Sequence, residues 1–170
     1  MAADETAAPL SIEAALPLYL AAKTAVNEAE LELSAAPEAA GEEPPANFQE
    51  ELARLTTSLQ GQQRALIQAL NDRFRSTLAG GRVLLTQGVS GKGQGFVAAA
   101  LAAVQAFTAF TPDNDPHGEH DFGSITIEGE GTKLYFNIDY YDAAERYGSE
   151  DPADPSMTTR VLTILLPEEY

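Results

Sequence analysis

The sequence predicts an α+β protein: a small, mainly antiparallel β-sheet packed by helices, with a helical N-terminal extension. Apolar residues recur at three- and four-residue steps as far as Phe110, then alternate with polar ones from Ile125 onward. Glycine and proline clusters punctuate the boundaries between these stretches.

Ser11 to Leu33 places Ile12, Leu16, Leu20, Val26 and Leu33 in an Ala- and Glu-rich background, which favours helix. Pro17 must then interrupt that helix or sit in its first turn. Residues 35–45 are a Pro, Ala and Glu linker with nothing to bury, expected to be mobile. They divide the chain into an acidic extension, 1–45, and an α+β domain, 46–170. Asn47 and Glu50 read as a helix N-terminal capping pair, followed by Leu52, Leu55, Leu59, Leu66, Leu70 and Phe74 on one face. This long helix, from Asn47 to Ala79, is also the element best suited to self-association.

Gly80 and Gly81 are expected to end that helix, and Arg82 to Gln87 to form a short strand. Gly88 to Gly95 reads as a flexible connector. It fails as a nucleotide-binding loop, because Gly93 follows Lys92 where a magnesium-binding hydroxyl is needed, and Thr86 stands where the first glycine should be. Val97, Leu101, Val104 and Phe107 mark a second core-facing helix, stopped before Pro112. Ile125 and Ile127, then Leu134, Phe136, Ile138 and Tyr140, alternate in two antiparallel strands joined at Gly129 to Gly131. Thr159 to Leu166 is apolar on both faces and is expected to be a central strand.

The chain has 26 acids against 10 Lys and Arg, a net charge of −16, and the acids are concentrated in two blocks. Residues 1–50 hold ten acids and one base, and residues 113–154 hold twelve acids and two bases. Such a surface repels nucleic acid and anionic lipid, so direct binding to either is disfavoured and a basic protein surface is the expected partner. No stretch approaches the ~20 apolar residues of a membrane helix. The absence of cysteine removes disulfides, zinc thiolates and a cysteine nucleophile. With an acidic rather than cationic start at Asp4 and Glu5, these features predict a cytoplasmic protein.

The chemistry-bearing residues lie in three loops. Asp113, Asp115, His117, Glu119, His120 and Asp121 are packed into nine positions, and Asp139, Asp142, Glu150, Asp151 and Asp154 follow. Oxygen donors in that number suit magnesium, manganese or calcium, and a histidine tilts the set towards manganese or iron. A divalent-metal hydrolase would use His120 with Glu119, Asp139 and Asp142 as catalytic groups, and His120, Asp121 and Asp139 as ligands. His117 to His120 lacks the spacing of a zinc-peptidase helix, and Gly118 and Pro116 favour a turn. A Ser-His-acid triad from Ser124 or Ser149 is unsupported, since neither lies in a nucleophile elbow. The competing readings need no catalysis. Asp and Asn satisfy their own loop amides, and His120 fixes the start of the next strand against a carboxylate. Alternatively Asp113, Asp115, Glu119, Asp121, Tyr141, Asp142, Glu150, Asp151 and Asp154 line a protein-binding surface that needs no cofactor.

Several motifs occur in fixed order: Leu70-Asn-Asp-Arg-Phe-Arg75, Gly80-Gly-Arg-Val83, Asn114-Asp-Pro-His-Gly-Glu-His-Asp-Phe-Gly123, Asp139-Tyr-Tyr-Asp142, Ser149-Glu-Asp-Pro-Ala-Asp-Pro155 and Thr159-Arg-Val-Leu-Thr-Ile-Leu-Leu166. In that order, from about Leu66 to Tyr170, the chain resembles a family of small bacterial proteins known as a domain of unknown function, often carried on plasmids and other mobile DNA. An aromatic residue usually stands at the position of His117 in that family, which argues against His117 as a ligand. The resemblance implies no catalytic residue. Its mobile-DNA setting implies an accessory role, such as countering host defence. The leading expectation is therefore a non-enzymatic acidic binding protein, a DNA mimic or anti-defence accessory that engages a basic, nucleic-acid-handling partner. The alternative is the metal-dependent hydrolase.

Overall fold

A computed structural model describes residues 10–35 and 46–170. The chain divides into two compact units, Met1–Ala69 and Leu70–Tyr170. The domain boundary expected at 45/46, the remainder of the linker beyond Ala35, and Asp4 and Glu5 lie outside the described residues.

In the first unit, helix α1 (Ile12–Ala35) buries Ala15, Tyr19 and Val26, which share one face at helical spacing. The helix runs through Pro17 in its second turn, so the proline neither interrupts it nor sits in its first turn as expected. Proline removes the bond to the Glu13 carbonyl, but both residues are exposed, so water can take that bond's place. Helix α2 (Ala46–Thr77) continues through Gly61, and its Leu66, Ile67 and Ala69 are buried. It starts at Ala46, which places Asn47 inside the first turn rather than at the cap.

The second unit takes over α2 at Leu70. Its sheet has the order β1-β4-β3-β2, from strands β1 (Gly81–Leu85), β2 (Phe122–Thr126), β3 (Lys133–Asp142) and β4 (Thr158–Leu165). β1 pairs with β4 in parallel and the other two pairings are antiparallel. The closing strand is central, as its two apolar faces predict. Two segments differ from the sequence reading. The glycine-rich connector contains a short helix, α3 (Gln87–Gly91), held because Val89 is fully buried in the core. The residue that stops α2 in the left-handed conformation is Leu78, with φ 55°, ahead of Gly80. Gly81 serves close approach instead of helix termination. A Cβ there would lie 2.5 Å from the Arg160 carbonyl and 2.6 Å from the Phe74 ring, so only glycine lets β1 reach β4.

Phe74 of α2, Val89, and Phe96, Ala100 and Val104 of α4 (Gln94–Ala106) pack against Leu134, Phe136, Ile138, Leu162 and Ile164. These strand residues share one sheet face through the register Ile138↔Leu162 and Phe136↔Ile164. The opposite face carries Arg82 and Leu84 of β1, Val161 and Thr163 of β4, Tyr135, Asn137, Asp139 and Tyr141 of β3, and Phe122 of β2. On this face Arg82, Leu84 and Asp139 are exposed, whereas Val161 and Leu165 are buried.

Candidate functional site

The acidic loop is anchored from within. Asn71, fully buried on α2, donates through Nδ2 to the Glu119 carbonyl (2.8 Å) and the Tyr140 hydroxyl oxygen (2.7 Å). Its Oδ1 accepts from Arg160 Nε at 2.9 Å. Arg160 donates onward to the Pro152 carbonyl (2.6 Å), and the Tyr140 hydroxyl donates to Glu119 Oε2 (3.1 Å). One amide thus joins α2, the 113–121 loop, β3, β4 and the 150s loop. Burial pushes the Tyr140 phenol well above its usual pKa and lowers that of Arg160.

One residue further along α2, Asp72 accepts from His120 Nδ1 (2.9 Å) and from Arg75 (2.8 Å). An ionised carboxylate only accepts, so Nδ1 carries the proton of the imidazole. Arg75 also donates to the Val104 and Gln105 carbonyls (3.0 and 3.2 Å), capping the C-terminus of α4. Phe110 stacks on the His120 ring at 3.7 Å with 5° between planes. Burial pushes the Asp72 carboxyl up, but hydrogen bonds from His120 and Arg75 more than offset this and hold it below the ordinary aspartate value.

This geometry makes His120 a tie rod between α2 and the loop. Its φ is 57°, and its other ring nitrogen faces the buried Asp115 carboxylate at 3.7 Å. Asp115 is itself occupied, accepting from the Glu119 and His120 amides at 3.0 and 3.2 Å. The side chains assigned to a hydrolase do not converge. Asp139 sits on the other sheet face, and Asp142 closes a turn by accepting from the Arg146 amide at 2.9 Å. Ser149 pairs with Thr158, and Ser124 lies opposite Tyr135 on the other sheet face. Among the described residues no group of three or more His, Asp or Glu side chains is placed to hold a metal ion.

The expected binding residues separate into two groups. Asp115 and Asp151 are buried and bind amides of their own loops, Asp151 accepting from Ala153 at 3.2 Å, so as placed they are not contact carboxylates. Asp154 likewise accepts from the Ser156 amide and hydroxyl. Asp113 and Glu150 are exposed, as is His117, while Glu119 and Asp121 are half-buried. Burial, with the neighbouring Asp115 charge contributing, raises the pKa values of Glu119 and Asp121. A raised carboxyl pKa favours the fold in acid, and that contribution is lost as pH rises through the folded value. Glu119→Gln, which keeps an acceptor for Tyr140, is therefore expected to raise the melting temperature at about pH 7, with the gain vanishing at about pH 3. Paired thermal melts at the two pH values check this; an equal shift at both would mean that charge is not the cause.

Asp139 and Tyr141 do meet. Together with Arg82, Leu84, Glu145, Val161 and Thr163 they line an open cleft of about 280 Å³ on that face. Arg82 is ion-paired to Glu145 across it. Asp139 is exposed and accepts only from Asn137 Nδ2 (2.7 Å) among the described residues. Beside the cleft, on the same face, Phe122, Tyr135 and the C-terminal Tyr170 form an aromatic cluster, with centroids 5.5–6.0 Å apart. Sequence reasoning missed Asn71, Asp72, Arg75 and Arg160. The signal was present: polar residues beside Leu70 and Phe74 on the core face of a helix, and an arginine sharing strand parity with Leu162 and Ile164.

Fold and site together define a small α+β domain with a polar, hydrogen-bonded seam and a sheet covered by helices on one side. The chain belongs to the family described as "Protein of unknown function (DUF3768)", whose model matches residues 85–169. The matched span begins downstream of Asn71, Asp72 and Arg75, so the α2 half of the seam precedes it. No curated protein and no solved structure matches the chain. Among the described residues no helix is long and apolar enough to cross a membrane.

Proposed function

We propose that the protein is a non-enzymatic acidic binding module that engages a basic surface on another protein through the sheet face that carries Asp139. The observation that carries this reading is the cleft itself, where Asp139 stands exposed and Tyr141 half-exposed beside the Arg82–Glu145 ion pair, while His120, Asp115 and Asp151 are committed to internal bonds. A net charge of −16 steers a cationic partner towards the chain and speeds encounter. The partner of this reading is a nucleic-acid-handling protein whose basic groove the acidic surface occupies, as a DNA mimic or anti-defence accessory of mobile DNA would, within a cytoplasmic setting.

Immobilised wild-type chain is expected to retain a basic protein from an extract of its own cells at about 50 mM salt and to release it at about 500 mM, as the screening length falls from ~14 to ~4 Å. Asp139→Lys should retain markedly less at the lower salt. Retention indifferent to both salt and Asp139→Lys would contradict the proposal.

A further inference from the structure

The sequence favours α2 as the self-association element, but the exposed leucines lie elsewhere. Among the described residues, the exposed large aliphatics of the first unit are Leu10, Leu16, Leu18, Leu20 and Leu31, on α1 or just ahead of it, with none on α2. Between Leu10 and Ala22 the only charged side chain is Glu13. A helical stretch that is apolar on several sides is normally covered, and a contiguous apolar patch at a surface marks a contact.

The order of residues on one flank says what covers it. Glu13, Leu16, Leu20 and Lys23 follow at steps of three, four and three, so they share a side of α1 next to the buried face of Ala15, Tyr19 and Val26. The run is symmetric about the level of Leu18: a charge, a leucine, a leucine and the opposite charge. A second copy laid antiparallel across it, with a two-fold axis at that level, sets Leu16 against Leu20 and Glu13 against Lys23 at both ends. A two-fold contact demands this self-complementarity. Lys23 already lies over the Tyr19 ring at 5.4 Å, so the leucines drive the contact and the charges only set its register, by keeping like from facing like.

The rest of α1 selects the same arrangement. Glu28, Glu30 and Glu32 crowd its C-terminal half. A parallel pair would bring both sets of acids together, whereas in the antiparallel register they lie past Ile12, the first helical residue of the second copy. Opposed helix dipoles favour the antiparallel pair as well. With one lysine and no arginine on α1 and a net charge of −16, anionic lipid is disfavoured as the occupant. Two leucines a side bury far less than the ~800 Å² per partner of a stable complex, so the contact is weak and depends on concentration.

We infer that α1 is a homodimerisation helix, through which two copies of the chain pack antiparallel at Leu16 and Leu20. The inference is independent of the binding reading above, whose residues lie in the second unit.

Sedimentation equilibrium of the full chain tests it. The mass is expected to rise from that of a monomer towards twice that value between about 1 µM and 1 mM, the range of a weak contact. Leu20→Glu, at a side chain 51% exposed, should leave the circular dichroism spectrum unchanged. It should weaken association by about tenfold or more, the loss of one buried leucine. Lys23→Glu alone should weaken association by about two- to fivefold, and adding Glu13→Lys in the same chain should restore it. A chain that stays monomeric at about 1 mM, or a dimer indifferent to Leu20→Glu, overturns the inference. Flotation with zwitterionic vesicles, lost in Leu20→Glu, would assign the leucines to lipid and overturn it too. Failure of the charge swap to restore association overturns the antiparallel pairing.

Discussion

Asn71→Leu is expected to destabilise the protein by about 3–5 kcal/mol, a large part of the 5–15 kcal/mol that holds a domain folded. Leucine approximates the volume of asparagine but can neither donate nor accept. The substitution strands Arg160 Nε, whose acceptor is Asn71 Oδ1, and removes the donor shared by the Glu119 carbonyl and the Tyr140 hydroxyl. Leaving a buried charge without its partner costs more than the bond contributed when made. Urea titration measures the loss. A double-mutant cycle with Arg160→Met separates the hub from simple misfit: the pair should be less destabilised than the sum of the singles, and strict additivity would mean that the two residues are not coupled.

Arg75→Met should lose a similar amount, about 3–5 kcal/mol, by a different route. It frees the Val104 and Gln105 carbonyls at the end of α4 and leaves Asp72 with His120 alone. The pH dependence identifies the mechanism. Asp72 has a depressed folded pKa, so it contributes stability above its unfolded value, and that contribution is lost as pH falls through the folded value. Removing Arg75 raises the folded pKa, so the acid-unfolding midpoint of the variant should move to higher pH. A variant destabilised at neutral pH with an unmoved acid midpoint would refute the Asp72–Arg75 coupling.

Periodicity made the fold legible: the apolar stripe of α2, the alternation of β3 and the doubly apolar β4 each follow from spacing alone. The failures were local. Pro17 reads as a helix breaker because its lost bond is normally costly, but an exposed carbonyl can turn to water. Gly88 to Gly95 reads as a loose connector because glycine dominates its composition, but burial of Val89 and the Glu169 carboxylate order it, the latter accepting from the Gly88 amide at 2.8 Å. Hydrogen bonds from the Thr86 hydroxyl and from the Leu166 and Gly88 amides hold the Glu169 carboxyl below its ordinary pKa.

For the site, density of charge along the chain does not separate carboxylates bonded internally from those that face water. Asp115, Asp151 and His120 stand out because charged loops so often carry chemistry, yet their partners are loop amides or a carboxylate 48 residues upstream. Spacing along the chain does not encode which carboxylate faces an amide and which faces water. Strand parity does: it puts Asp139 and Tyr141 on the side opposite Ile138 and Tyr140, where both line the cleft.

Where the partner touches the chain is decisive for a binding module of this kind. Zero-length carbodiimide cross-linking of the full chain to its captured partner, with the linked carboxylates read by mass spectrometry, locates that contact directly. Links from Asp139 and Glu145 to partner lysines are the predicted result. Links confined to Asp113, Glu150 and Asp154, with none on the sheet face, would contradict it.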